Sequence, residues 1–288
     1  MTAINNKNAH VISGDLDILL GEAKYLPWSC SRMETAGTCL YKFHQVYLGG
    51  IKEHSPALTL GGLSHEIIAE LLKLKDPSLE VAKIILTQIY QAFKALDVDG
   101  YAWMTVQEFL PYMVSFVKKW QKFCADNNIA KYRIEHPYGL TEQLTRASYI
   151  PQPFRQTYFR GIVDLWGYDP VNQVLYVVDH KTNKSAMSTK KVKECMQLNI
   201  YVGMLAHIYK LPWKKAVIGL NFLRKNKVVW ATVTPEENAD FMDKFVNTLH
   251  YLESSLFTCE NEMVWPAEKS FKCKWCAFRG DCVAFDTE

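Results

Sequence analysis

No apolar run in this 288-residue chain approaches the roughly 20 residues that a membrane-spanning helix needs, so no such span is expected. The amino terminus lacks the basic start and apolar core of a secretory signal. There is no internal repeat and no low-complexity tract. Charge of either sign is scarce in net terms: +3 neither demands nor excludes a polyanionic partner, so any basic surface must be local. What is present is apolar material. Hydrophobic residues make up 49% of the chain, which excludes global disorder and supplies one large domain or two modest ones. Eight cysteines, with no secretory start, point to an intracellular, cytoplasmic and reducing setting. There they read as buried thiols or metal ligands rather than disulfides.

The order of patterns is helices first, strands in the middle, helices around them. Residues 1–30 read as an irregular N-terminal segment, punctuated by Gly14 and Pro27. Helical character follows over 31–48, 63–75, 80–96 and 102–125, where Ile84, Ile85, Ile89 and Phe93 recur at helical spacing. From Tyr132 the chain turns to short strands, 132–139, 156–168 and 173–181. A helix over 187–209 and a hairpin over 215–224 and 227–233 come next. Thr234-Pro235-Glu236-Glu237 opens a last helix running to about 256. We therefore expect an N-terminal segment (1–30), a helical region (31–130), an α/β core (131–258) and a cysteine-rich tail (259–288).

Residues 161–182, GIVDLWGYDPVNQVLYVVDHKT, carry the strongest chemical signal. Two apolar strands flank the turn signal Asp169-Pro170 with Asn172. A hairpin folded about residues 171 and 172 sets Asp164 opposite Asp179 or an immediate neighbour. Asp179 and Lys181, two apart, share a face. Facing like charges are destabilising, and carboxylates near the interior of a sheet are costly unless compensated. A divalent cation between them, with a lysine beside it, supplies that compensation. Metal-dependent phosphodiester cleavage is the chemistry that suits the group.

A second constellation lies in the tail. Cys273, Cys276 and Cys282 stand in CKWCAFRGDC, a C-x2-C followed by x5-C. Thiolates at this spacing can converge on one metal centre, and a tetrahedral site needs a fourth ligand. Spacing alone leaves that ligand open among Cys30, Cys39, Cys124, Cys195, Cys259 and a histidine, and leaves zinc and an iron–sulfur cluster both open.

In their order these motifs resemble the PD-(D/E)xK nucleases of the RecB type. The family signature runs from a helix bearing histidine to G-x-x-D, D/E-x-K and Q-x-x-x-Y. Here stand GGLSHEIIAELL with His65, GIVD with Asp164, DHK with Asp179 and Lys181, and QLNIY with Gln197 and Tyr201. The subgroup most similar carries a [4Fe–4S] cluster on one N-terminal and three C-terminal cysteines, and includes the CRISPR-adaptation nuclease and the AddB nuclease domain. The resemblance implies Cys39 as the partner of Cys273, Cys276 and Cys282, although Leu40 replaces the usual proline after it and Cys30 is the reserve. It also implies a restriction-endonuclease-like core: a mixed central sheet flanked by helices, with a helical region and a C-terminal cysteine clasp.

By the same resemblance, Asp164, Asp179, His65 and the backbone carbonyl of His180 hold Mg²⁺ or Mn²⁺. Lys181 positions or deprotonates the attacking water, Gln197 and Tyr201 face the site, and Glu135 adds an acidic residue ahead of the core strands. The expected activity is a metal-dependent exonuclease acting on single-stranded DNA ends. The alternatives are a DNA-end-trimming subunit of a larger complex and a non-catalytic, metal-stabilised nucleic-acid-binding module. No G-x-x-x-x-G-K-[ST] is present, so any unwinding would fall to a helicase or recombination partner.

Overall fold

A computed structural model describes residues 27–51, 53, 55–97, 99–129, 132–143, 145–150 and 157–285. The expected irregular segment over 1–30 therefore falls largely outside the described residues. Helices α1 (Cys30–Ala36), α2 (Leu40–Phe43), α3 (Pro56–Leu72), α4 (Leu79–Phe93) and α5 (Tyr101–Asp126) come first. Strands β1 (Tyr132–Leu140), β2 (Arg146–Ala147), β3 (Phe159–Asp169) and β4 (Val174–Lys181) follow. Helices α6 (Thr189–Lys193) and α7 (Met196–Tyr209) lead to β5 (Lys215–Phe222), β6 (Lys227–Val233) and α8 (Pro235–Glu262). The strands form one sheet in the order β2-β1-β3-β4-β5-β6, antiparallel throughout except for the parallel pair β4–β5. A parallel pair needs a crossover rather than a tight turn, and α6 and α7 provide it.

Helices cover both faces, which is the mixed sheet flanked by helices that the sequence implied. On one face Leu175, Val177, Ile218 and Leu220 meet Leu198, Val202 and Leu205 of α7 and Phe245 and Leu249 of α8. On the other, Leu165, Tyr176 and Val178 meet Leu63, Ile67 and Leu71 of α3 and Val106, Leu110, Met113 and Val117 of α5. The apolar positions of α3 recur at helical spacing, which is why this helix presents one stripe to the sheet.

Several elements differ from the sequence expectation in their bounds. Helix α3 begins at Pro56, seven residues before the expected start, because Ser55 caps it by accepting from Leu58 N at 3.2 Å and Pro56 occupies its first turn. Gly61 and Gly62 lie inside the helix. A Cβ on Gly62 would come within 2.9 Å of Phe93 Cε1, so glycine there lets α4 approach closely. The helix expected over 187–209 is broken at Glu194 and Cys195, where the Asn199 amide donates to the carbonyls of Lys193 (2.8 Å) and Cys195 (2.9 Å). The helical stretch over 31–48 divides into α1, α2 and a π-helical turn, His44–Leu48.

Two irregularities shape the sheet. At Glu135 the backbone of β1 is left-handed, with φ of 43°, and side-chain alternation changes sides there. Tyr132 and Ile134 pack with the α3/α5 core, whereas Tyr138 and Leu140 pack with the α7/α8 core. In addition, β4 pairs with β3 only as far as Leu165↔Val178. Beyond that point Trp28 bridges Phe159 in parallel, its N–H donating to Tyr158 O at 2.7 Å while Arg160 N donates to Trp28 O at 2.8 Å. This contact delivers α1 to the place where β3 and β4 separate.

Candidate active site

The fork between β3 and β4 collects the charged residues. The hairpin closes as the sequence suggested: Asp169 accepts from Val171 N (2.9 Å) and Asn172 N (3.1 Å). At its other end the ladder stops one step short of Asp164 and Asp179, which are 5% and 1% exposed. Asp164 Oδ2 accepts from His180 N at 2.7 Å. His65, carried on α3, reaches in from the opposite layer. Its Nε2 lies 3.1 Å from the His180 carbonyl oxygen, and its Nδ1 lies 3.4 Å from Asp164 Oδ2 and 3.5 Å from Glu135 Oε1. One ligating atom from each of His65, Glu135 and Asp164 falls within 4.8 Å of the others.

The electrostatics show what this grouping requires. Burial and the neighbouring charges of Asp179 and Glu135 push the Asp164 carboxyl well above the usual range, against the pull of His65. Burial works against a charged His65, but Asp164 and Glu135 outweigh it and raise its pKa to about 10. Both shifts have one cause: carboxylates crowded in a buried site retain protons that a cation would replace. The donor set of carboxylate oxygens, a backbone carbonyl and one imidazole fits a hard divalent cation, with the nitrogen favouring Mn²⁺ over Mg²⁺. The side chain of His180 is set apart from this chemistry. Its Nδ1 meets Asn221 Nδ2 at 3.1 Å, and burial holds its pKa well below the ordinary value.

Asp179 does not join the trio and turns to Lys181, whose Nζ lies 2.7 Å from its Oδ2. That approach is a short ion pair at the buried end of the lysine. Lys181 Nζ donates to Gln197 Oε1 at 3.0 Å, and Gln197 Nε2 donates to Tyr201 Oη at 2.8 Å. One helical turn separates Gln197 and Tyr201 on α7, which is why the two side chains can meet. Burial disfavours the charged lysine, but Asp179 beside it prevails and lifts its pKa above the ordinary lysine value. The glycine of the GIVD stretch also has a local reason. The Tyr138 hydroxyl lies where a Cβ on Gly161 would stand, and Tyr201 Cε1 is 3.4 Å from that point.

The cysteines fall into two places. Cys39, Cys273 and Cys276 line one cavity of about 330 Å³ between the N-terminal helices and the tail. Cys39 Sγ accepts from Lys42 N at 3.5 Å and Cys273 Sγ from Ser270 N at 3.2 Å, while Cys282 is buried. Among the described residues, no three cysteine sulfurs lie within 4.8 Å of one another. Cys30 and Cys195 instead line the cavity that opens on Lys181. Burial raises both thiols, Cys30 to about 12, so neither is a ready thiolate at neutral pH.

The same cavity is lined by Arg32, Tyr47, Tyr149 and Arg160, none of which the sequence singled out. Arg160 directly precedes GIVD, but no spacing rule marks it, and α1 is brought to the fork by the Trp28 bridge. Of the aromatic residues of α5, Trp120 is core and Trp103 stacks on Tyr90 at 4.5 Å.

A buried acidic cluster and a lysine stand at the fork of a mixed sheet with helices on both faces, an α/β arrangement. The model of the PD-(D/E)XK nuclease superfamily matches residues 27–283, and the chain belongs to that superfamily. No curated protein sequence matches the chain. A solved structure from Eubacterium rectale, described as a "putative exonuclease", superposes with a TM-score of 0.52 at 12% identity, covering 98% of this chain and 95% of that one. The structure of SSO0001 superposes with a TM-score of 0.33 at 10% identity, covering 77% of this chain and 95% of that one. The first of these supports the fold. Among the described residues, no helix is long and apolar enough to cross a membrane.

Proposed function

We propose that this nuclease is a divalent-metal-dependent deoxyribonuclease that digests single-stranded DNA from an end. The observation that carries the reading is the convergence of His65, Glu135 and Asp164 within 4.8 Å, beside the Asp179–Lys181 pair. His65, Glu135, Asp164, Asp179 and the His180 carbonyl would hold Mg²⁺ or Mn²⁺, which when bound supplies Lewis-acid polarisation of the phosphate and a more acidic water. Lys181 acts as a fixed cation. Its raised pKa keeps it protonated, so it orients the attacking water and neutralises charge developing on the phosphate rather than removing a proton. Gln197 holds the ammonium in place through Oε1, and Tyr201 holds Gln197.

The proposal includes a structural [4Fe–4S] cluster on Cys39, Cys273, Cys276 and Cys282. It is supported by three of these residues lining one cavity and by the backbone N–H groups that Cys39 and Cys273 accept. Iron analysis and the visible spectrum of anaerobically purified protein test it. Stoichiometric iron with a brown colour is expected, and a colourless zinc protein would overturn the cluster. The nuclease itself is tested on end-labelled linear and circular single strands with Mn²⁺ or Mg²⁺. Metal-dependent loss of the linear strand alone, slowed at least about a hundredfold by Lys181→Ala, is the expected result. Cleavage of circles would replace the exonuclease with an endonuclease, and no cleavage at all would defeat the enzymatic reading.

A further inference from the structure

The following rests on the reading that Lys181 stands at the scissile phosphate. The whole chain is nearly balanced in charge, with 33 basic and 30 acidic residues. Residues 180–235 are not: they hold eleven lysines and arginines against one carboxylate, Glu194. The fold brings much of this excess to one edge of the sheet. Strands β4 and β5 are parallel and end side by side, with Lys181 opposite Phe222. The loop leaving β4 carries Lys184, and the turn leaving β5 carries Arg224 and Lys225. Helix α6, which bears Lys190 and Lys191, packs back on β5 and β6, with Val192 buried in the core that holds Val229 and Ala231. Met187, in the loop between β4 and α6, lines the cavity that opens on Lys181, so this edge is continuous with the site.

The charges at the edge are not spent on acids. Lys184, Lys190, Lys191 and Lys225 are exposed, and among the described residues none of them forms an ion pair. Lys193 differs, being paired with Glu237 at 2.6 Å. Arg224 Nη2 donates to the Tyr101 hydroxyl at 2.7 Å, a partner that does not cancel its charge as a carboxylate would. Lys184 stands near the same phenol: the hydrogen bond from Arg224, with the charges of Arg224 and Lys184, lowers the Tyr101 pKa. Three chain steps separate Lys184 from Lys181, so their Cα atoms are at most about 11 Å apart. Ammonium groups on flexible stems can follow a phosphate backbone without reading its bases, and an edge of one sign concentrates a polyanion beside the site.

We propose that the edge where β4 and β5 end is the track for the single strand adjoining the scissile bond. Lys184 and Arg224 take the backbone phosphates nearest to Lys181, and Lys190, Lys191 and Lys225 take those further along. The track binds without regard to sequence, and its residues are positioning residues, because they lie beyond the reacting atoms.

The test is anisotropy of a labelled single-stranded oligothymidylate with Mg²⁺ in the Lys181→Ala background, titrated with salt. Each lost phosphate contact should flatten the log–log salt slope by about 0.7 on a single strand. Lys184→Gln and Arg224→Gln should each show that flattening, and Lys184→Arg, which keeps the charge, should keep the slope. The control is Lys215→Gln, at the other end of β5 and about 23 Å away by strand rise, which removes the same net charge and should leave the slope unchanged. With Lys181 intact, Lys184→Gln should raise KM at unchanged kcat. Parent slopes in both glutamine variants, or equal flattening by Lys215→Gln, overturn the track. Flattening on a duplex but not on the single strand overturns it as well. If Arg224→Gln fails to fold for want of its bond to Tyr101, the variants of exposed Lys184 carry the test. Cleavage of linear strands by the unmodified protein is read separately. Cleavage with lysine-insensitive binding would remove the track and leave the nuclease standing. Lysine-dependent binding without cleavage would support the track and remove the nuclease.

Discussion

Lys181 donates to Gln197 across 3.0 Å, joining the end of β4 to the first turn of α7. The bond explains why a glutamine belongs on that helix. A lysine side chain has a flexible four-carbon stem, and with Asp179 on one side a second acceptor holds the ammonium in one position. Tyr201 plays the same part for Gln197 one turn along, and the break at Glu194 and Cys195 allows α7 to start where its first residues reach the lysine.

If Lys181 supplies fixed charge and Gln197 only aims it, the two substitutions separate in magnitude. Removing a preorganised electrostatic group costs about 10²–10³ in kcat, so Lys181→Ala should fall in that range. Gln197→Ala should lose about tenfold, since the ammonium remains but is less well placed. Single-turnover cleavage of end-labelled strand distinguishes them, and equal losses would make Gln197 a direct participant.

Glu135 holds a left-handed backbone at φ 43° beside Asp164, a conformation costing a non-glycine residue about 1–3 kcal/mol. Its carboxylate repels Asp164 but attracts the charged His65, so the two charge effects oppose each other. Glu135→Gly should relieve the backbone strain and stabilise the metal-free protein by about 1 kcal/mol, while Glu135→Gln, which keeps the strain, should not. Both should weaken Mn²⁺ binding and cleavage. Thermal melting with and without Mn²⁺ checks this; a Glu135→Gly protein less stable without metal would remove the strain argument.

Much of this site is legible in the sequence because its signal is local. The Asp169 turn, the alternation in β4 and the one-turn spacing of Gln197 and Tyr201 each follow from a few adjacent residues. Cap chemistry marks the helix start at Thr234 plainly, whereas the start at Ser55-Pro56 lies seven residues ahead of the expected one. The rest depends on distant contacts. The flip at Glu135 is a φ angle and no pattern of residue types marks it. Arg32 reaches the cavity because Trp28 bridges Phe159, a contact between segments about 130 residues apart. The sorting of Cys30 to the Lys181 cavity and Cys39 to the tail likewise depends on how α1 lies, which spacing cannot give.

Asp97 gives the fold a pH dependence away from the site. Its carboxylate accepts from Ala102 N and Trp103 N, each at 2.9 Å, and from the Tyr90 hydroxyl at 3.1 Å, satisfying the start of α5. Burial would raise its pKa, but these donors prevail and hold it below the usual carboxylate range. A depressed folded pKa contributes stability that is fully present above the unfolded value of about 3.9 and is lost as pH falls through the lower folded value. Asp97→Ala should cost about 1–3 kcal/mol at neutral pH, leaving amides unsatisfied, and this difference should shrink below about pH 4. Urea denaturation at neutral and acid pH measures it. A pH-independent difference would assign the loss to packing.

Named contacts join the tail to the N-terminal helices. Tyr41 N donates to Pro266 O at 2.9 Å, the Tyr41 hydroxyl donates to Asp281 O at 3.0 Å, and Lys272 pairs with Glu34 at 2.9 Å. An exposed ion pair contributes at most about 1 kcal/mol, and Phe271 and Trp275 are 73% and 69% exposed, whereas Phe278 and Cys282 are buried and Trp265 packs against His44. A cluster on Cys39, Cys273, Cys276 and Cys282 would add to these contacts by closing a loop of most of the chain. Cys276→Ser, or removal of iron by chelation after oxidation, should expose residues 265–285 to limited proteolysis while the sheet and its helices resist. The cleavage pattern by mass spectrometry, followed over time, checks the order of loss. A tail that stays protected in iron-free protein would show that its own contacts suffice, and a core that is lost together with the tail would make the cluster essential to the whole fold.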